Sequence, residues 1–390
     1  MRKIIFIPTT FYLSDSYFIL LASQLNKDYE CYYVDPCEIT YQQINIENSQ
    51  KLEALRKNFK SIIRLNPYPA TPPHNLFQKC MNFHKHFKQL GQVLNNINPS
   101  LIIMTSDGTL TARYLKKFKP NCPIIILQTA FINFSIKNKN KTRSFLKSSI
   151  LKIINPFTYP YTSINQLFGL TLTNCHLFLW GESSATPYLN KKNTKLIHIT
   201  GNPLMLPPPS SPTNWIEKKI LCLVGHETSK DKQIEHYLEF KKIIDTFPNY
   251  HFIVRNHPAY KDDINFPIIF SGNIKIIIDD HRQSVSDLIQ QVDLVITSFS
   301  CSSIEALFFN KQVLHLRKQI DESLQYWFET APIPYFANSF DLIKHLNNQN
   351  FDLKTKDVEG AIQKYIKWIW EKTGPNSLQS TVDAINNIIN

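Results

Sequence analysis

The sequence lacks paired cysteines, long apolar runs and, between residues 131 and 181, any acid. Its seven cysteines, at 31, 37, 80, 122, 175, 222 and 301, are scattered and odd in number, and no CxxC pair occurs. That pattern supports neither a zinc site nor a disulfide framework, and it fits a reduced cytosolic compartment. No stretch approaches the roughly 18 uncharged apolar residues needed to span a bilayer, so membrane contact is expected to be peripheral at most. The opening MRKIIFIPTTFYL has a basic start, but its apolar run is short and no small-residue cleavage site follows. It reads as a first strand. Glycine is scarce, with nine in 390 residues.

Hydrophobic residues at 43% and charged residues at 19% describe an ordered globular chain with ample core. A length of 390 residues is long for one core and predicts two domains. The formal charge of +12 implies attraction to something anionic: nucleic acid, a membrane surface or a charged substrate.

The first half alternates strand-like and helical segments. KIIFIP (3–8), YECYYVD (29–35), SLIIMTS (100–106) and PIIILQT (123–129) read as strands. SYFILLASQL (16–25) and the long 74–97 segment carry helical spacing. Such alternation predicts parallel strands with crossover helices. Residues 131–181 break the rhythm: Lys137, Lys139, Lys141, Arg143, Lys147 and Lys152 interleave with Phe145, Ile150, Leu151, Ile154, Phe157 and Tyr159. Two readings stand for this excursion (131–171): a solvated basic loop, or a peripheral contact with an anionic membrane or glycan. HLFLWG (176–181) and KLIHITGNP (195–203) return to strand character. LPPPSSPTNW (206–215) then places four prolines in ten residues, which suits a stiff connector between domains. The second half begins strand and helix alternation again, with strands at KKILCLVGHE (218–227), YHFIVRNHP (250–258), NIKIIID (273–279) and VDLVITSFS (292–300). The expected organisation is a first Rossmann-like domain over 1–205, a second over 216–370, and a final helix over 371–390 that crosses back to the first.

Chemistry concentrates where strands end. In VDLVITSFSCSSIEALFF the apolar run gives way to Thr297, Ser298, Ser300, Ser302 and Ser303 before a helix starts. Unpaired amides at a helix N-terminus make a phosphate seat, and five hydroxyls in seven residues exceed what capping needs. Glu305, inside that helix, is either a first-turn acid favoured by the dipole or a ribose ligand. FIVRNHPAYK (252–261) ends a strand in Arg255, Asn256 and His257. Alone, His-Pro marks a turn. If this strand neighbours the one at 293–297, His257 and the serines grip one phosphate from two sides. Asp107 and Gly108 follow the 101–104 run as an Asp-Gly turn or as a carboxylate facing a cleft. Gly108, and His226, Glu227 and Thr228 after the 218–224 run, are candidate sugar or acceptor contacts, with Glu227 equally readable as a base or as a helix N-terminal acid. His84 and His86, two apart on a helix, point to different sides and make no metal pair.

In order and rough spacing, SDG at 106–108, HP at 257–258 and SS at 302–303 resemble the motifs of GT-B bacterial sialyltransferases. LFLWGESSATPYL, IHITGNP and SSIEALFFNKQVLHL look like the wider set of surface-polysaccharide transferases that use CMP-Kdo or CDP-linked donors. The resemblance implies two Rossmann-like domains facing across a cleft, Asp107 as general base, His257 assisting CMP departure, and Ser302 and Ser303 holding the CMP phosphate. It also implies inversion without metal, in keeping with the absence of a DxD motif. Ser106 stands where the family often has another acid. The expectation is a cytoplasmic, membrane-peripheral transferase of a CMP-activated sialic acid or Kdo-type sugar. Its acceptor is a lipopolysaccharide, lipooligosaccharide or capsule glycan, with no further cofactor and no nucleic-acid partner. The rivals are a CDP-glycerol or CDP-ribitol phosphotransferase, a UDP-sugar epimerase, and a non-catalytic basic protein binding anionic glycan or lipid.

Overall fold

The computed structural model describes the chain except residues 9–12, 38–48, 67–75, 108, 133–167, 170–171, 173, 191–192, 207–218, 226, 228, 272–274, 317–321 and 350–355. Most of the basic excursion, most of the proline-rich connector, Gly108, His226 and Thr228 thus lie outside the described residues. The chain forms two compact units, Met1–Leu204 with Ile369–Asn390, and Met205–Trp368.

Unit 1 holds a seven-stranded sheet built from β1 (Arg2–Ile7), β2 (Tyr29–Asp35), β3 (Ser61–Arg64), β4 (Leu101–Met104), β5 (Ile124–Leu127), β6 (His176–Leu179) and β7 (Ile197–Ile199). The spatial order is β3-β2-β1-β4-β5-β6-β7, with every pairing parallel. Its helices are α1 (Leu13–Leu25), α2 (Ser49–Asn58), α3 (Leu76–Ile97), α4 (Leu110–Phe118) and α5 (Glu182–Ala185). Ile4, Ile5, Phe6 and Ile7 are all fully buried, as are Leu101 to Met104. Strands covered by helices on both faces carry continuous apolar runs.

Unit 2 repeats the plan with six strands: β8 (Lys219–Leu223), β9 (His251–Arg255), β10 (Ile276–Ile278), β11 (Leu294–Thr297), β12 (Gln312–Leu316) and β13 (Tyr335–Phe336). Their order is β10-β9-β8-β11-β12-β13, again all parallel. The helices are α6 (Lys230–Thr246), α7 (Asn265–Phe270), α8 (Val285–Gln290), α9 (Cys301–Phe308), α10 (Glu322–Phe328), α11 (Ser339–Gln349) and α12 (Lys356–Ile369).

The last helix, α13 (Gly374–Ile389), belongs to unit 1. It packs on α1, where Tyr17 Oη meets Thr381 Oγ1 at 3.4 Å, and Tyr29 Oη donates to Asn386 at 2.8 Å. This explains why α1 is apolar nearly all round: Phe18 and Leu21 are wholly buried, and Ile19 and Leu20 are also drawn into the core cluster that contains Leu378 and Ile385. The returning chain is bonded in place, with Asn202 N–H donating to Lys372 O and Gly374 N–H to Asn202 O. Gly201, at φ 86°, sits beneath this crossing, where an added Cβ would lie 2.2 Å from Lys372 O. That position requires glycine for both its backbone conformation and its clearance.

Two sequence expectations change. SIIR at β3 and QVLHL at β12 passed unread as strands, though both pair in register. And β9 does not neighbour β11, because β8 lies between them. At about 4.8 Å per strand spacing, their ends stand roughly 10 Å apart.

Candidate nucleotide site at the carboxyl edge of unit 2

The order of unit 2 reverses between β8 and β11, the place where open parallel sheets take ligands beyond their carboxyl ends. Register puts Arg255, Leu223, Thr297 and His315 in one row across β9, β8, β11 and β12. Beyond that row the chain becomes polar. Gly225 follows β8, and a Cβ there would lie 2.6 Å from Ser298 Oγ, so the two strand ends approach closely only because residue 225 is glycine.

One face of α6 ties the three strand ends together. Ser229 caps this helix through a bond to Lys232 N–H. Gln233 then donates to Gly225 O at 3.0 Å and accepts from Glu227 N–H at 2.8 Å. His236 Nε2 meets Ser298 Oγ at 2.9 Å. Tyr237 Oη accepts from Asn256 Nδ2 at 2.9 Å. Positions i, i+3 and i+4 share a helix face, so one turn of α6 serves β8, β11 and β9 in succession. Burial, with smaller contributions from its polar neighbours, pushes the Tyr237 phenol up to about 12. Sequence reasoning missed this trio; the available signal was their spacing behind the Ser229 cap.

The hydroxyl cluster separates into two groups. Thr297, Ser298 and Ser303 are buried, and Ser303 Oγ donates to Ser300 O at 2.6 Å. Ser300 and Ser302 are half-buried. Ser300 occupies the N-cap of α9 in extended conformation, yet its side chain makes no capping bond. Ser300 thus leaves the start of α9 uncapped by its own hydroxyl. Glu305 accepts from the Ser286 hydroxyl on α8, and burial raises its carboxyl, against the lowering effect of that bond.

Arg255 and Asn256 hold structure. Arg255 Nη1 donates to Gln283 O at 2.8 Å and lies 3.3 Å from Asp279 Oδ2. Asn256 Nδ2 also donates to Tyr260 O at 2.6 Å, and its Oδ1 accepts from His257 N–H at 2.9 Å. Both are under a tenth exposed. The turn they shape leaves His257 exposed. The structure thus brings Ser298 against Gly225, sets Ser300 and Ser302 at the start of α9 that follows Ser298, and sets His257 one strand further along the same edge. Glu227 is half-buried, and its carbonyl accepts from Tyr260 Oη at 3.0 Å.

In unit 1, Asp107 stands just past β4 with 1% exposure. Its Oδ1 accepts from Gly169 N–H at 2.8 Å and its Oδ2 faces Leu172 N–H at 3.4 Å. Gly169, at φ 77°, has no room for a Cβ against Leu177. The carboxylate thereby holds the Gly169 and Leu172 amides, which precede β6. The neighbouring Tyr188 phenol is raised well above its ordinary value, by burial first and the Asp107 charge second. His84 is exposed and His86 buried. Among the described residues, no three His, Cys, Asp or Glu side chains cluster as metal ligands. Among the same residues, no helix is long and apolar enough to cross a membrane.

No protein-family model matches the chain, and no curated protein sequence matches it. Solved structures match over the full length. A UDP-GlcNAc 2-epimerase of Methanocaldococcus jannaschii, in complex with UDP-GlcNAc and UDP, aligns at 15% identity and TM-score 0.60, covering 99% of this chain and 100% of that one. S. aureus MnaA with UDP aligns at 15% and 0.62, covering 99% and 96%. A glycosyltransferase of Rickettsia africae aligns at 13% and 0.57, covering 100% and 98%. The chain therefore has the GT-B fold, two doubly wound parallel-sheet domains, which glycosyltransferases and UDP-GlcNAc 2-epimerases share.

Proposed function

We propose that the chain is a nucleotide-sugar glycosyltransferase whose second unit seats the donor phosphate at the β8–β11 edge. The carrying observation is the start of α9, whose amides are not capped by Ser300 and which stands beside the close approach of Gly225 and Ser298. Amides and positive dipole at such a start favour an anion, and glycine lets a phosphate come near the backbone. Ser300 and Ser302 supply hydroxyl donors. His257, exposed at the end of the next strand but one, approaches the leaving group from the side.

The ordered SDG, HP and SS motifs favour a CMP-activated sialic acid or Kdo-type donor, with a surface glycan as acceptor and inversion without metal. Asp107 in this reading works through the amides it holds rather than as the base that meets the acceptor. A second reading, 2-epimerisation of a UDP-sugar, is favoured by the likeness to the M. jannaschii epimerase.

The test is isothermal titration of CMP, CDP, UDP and GDP, followed by NMR of CMP-sialic acid, CMP-Kdo and UDP-GlcNAc incubated with the protein. The proposal expects cytidine nucleotides to bind most tightly and the CMP-sugar to be consumed. Preference for UDP with inversion at C2 of UDP-GlcNAc would replace it with the epimerase reading.

A further inference from the structure

The net charge is confined to one part of the sequence. Residues 65–181 contain 13 lysines and arginines and a single acid, Asp107, leaving 30 basic and 30 acidic residues elsewhere, so the whole formal +12 lies in this segment. The one acid is buried and bonded to the backbone amides of Gly169 and Leu172, so it offsets nothing at the surface.

The described helices of this segment, α3 and α4, form a firm pair. Phe87 stacks on Tyr114 at 5.3 Å and 17°, and Tyr114 on Phe118 at 5.5 Å and 22°. Gly91 admits the tyrosine, since a Cβ there would lie 2.4 Å from Tyr114 Oη. Neither helix contains an acid. On α3, Phe83, Phe87, Leu90 and Leu94 face inward, while Met81, Lys85, Lys88 and Gln92 recur at helical spacing as an exposed stripe. On α4, exposed Lys117 lies close enough to exposed His84 for its charge to depress the imidazole, after the larger effect of burial.

We propose that this α3–α4 face docks on a membrane surface rich in anionic phospholipid. Charge complementarity selects an anionic partner, and an apolar side chain exposed among the lysines selects lipid over nucleic acid. Met81 is 56% exposed within the lysine stripe. A basic and apolar surface gains from both headgroup attraction and burial at a bilayer, whereas a phosphate backbone rewards only the charge. The inference stands apart from the nucleotide site, which lies in the other unit.

The test is co-sedimentation of the full chain with phosphatidylcholine vesicles, with and without phosphatidylglycerol, at low and high salt. The chain partitions onto the anionic vesicles and is released by salt. The variant Lys85→Gln/Lys88→Gln/Lys117→Gln loses about a hundredfold in partition, at roughly fivefold per cation removed. The control Lys230→Gln/Lys232→Gln/Lys364→Gln removes equal charge from exposed sites in unit 2 and keeps wild-type partition. Melting curves verify that both triples fold. Equal loss in both triples, indifference to phosphatidylglycerol, or tight binding of a fluorescent single-stranded oligonucleotide without vesicle binding would each overturn the proposal.

Discussion

Both sheets contain the same central order, with the first strand of each unit flanked by the second and the fourth, and both turn polar just past that fourth strand. In unit 1 this end is occupied by the protein itself: Asp107 is buried and accepts from the Gly169 and Leu172 amides. In unit 2 the corresponding end is lined by Gly225, Ser298 and the start of α9, with Ser300 and Ser302 half-buried. One topology thus supports two uses of a strand end, and polar residues there do not by themselves distinguish a site from a tied turn.

The comparison breaks most readily at Asp107. Asp107→Ala leaves two buried N–H groups without their acceptor and costs about 3 kcal/mol of unit 1 stability, read by denaturant unfolding. Asp107→Asn keeps one acceptor oxygen and costs less, and under the proposed function its turnover of the CMP-sugar follows the folded fraction. A drop in kcat of three orders of magnitude in a fully folded Asp107→Asn protein would return the base role to this residue.

In unit 2, His236→Phe removes the partner of Ser298 and costs about 1–2 kcal/mol, with nucleotide affinity falling roughly tenfold as the strand end loosens. His315 gives a pH signature. Burial among Phe299 and Phe328 lowers its imidazole to about 3, below the ordinary unfolded value, so protonation favours unfolding. Its contribution is complete well above pH 6.5 and is lost as pH falls toward 3, the loss reaching about 1.4 kcal/mol by pH 5.5. His315→Leu flattens the acid side of the stability profile by one proton; an unchanged slope would contradict the burial argument.

The smallest effects separate the serines. Ser303→Ala lowers stability by about 1 kcal/mol through loss of its bond to Ser300 O and barely alters nucleotide affinity. Ser302→Ala leaves the melting temperature unchanged and weakens nucleotide binding severalfold.

Strand ends were legible in the sequence because parallel strands buried on both faces are written as apolar runs that stop abruptly. The fold class followed from their alternation. The neighbour relations were not legible, because pairing depends on contacts distant in sequence. Placing β8 between β9 and β11 moved His257 a strand away from the serines. Side-chain commitment was equally hidden. Nothing local to RNHP states that Asn256 is occupied by Tyr237 and Tyr260, or that Asp107 meets amides more than sixty residues later. The α6 trio escaped notice because a buried Gln, His and Tyr on a helix read as part of an ordinary amphipathic pattern.

The most direct measurement is the CMP-induced shift in melting temperature of Gly225→Ala beside Gly360→Ala. The added methyl collides with Ser298 in the first and meets nothing within 4 Å in the second. Seating of the donor phosphate at the β8–β11 edge predicts that CMP stabilises wild type and Gly360→Ala alike and fails to stabilise a folded Gly225→Ala protein. A Gly225→Ala protein that CMP stabilises as fully as wild type would contradict it.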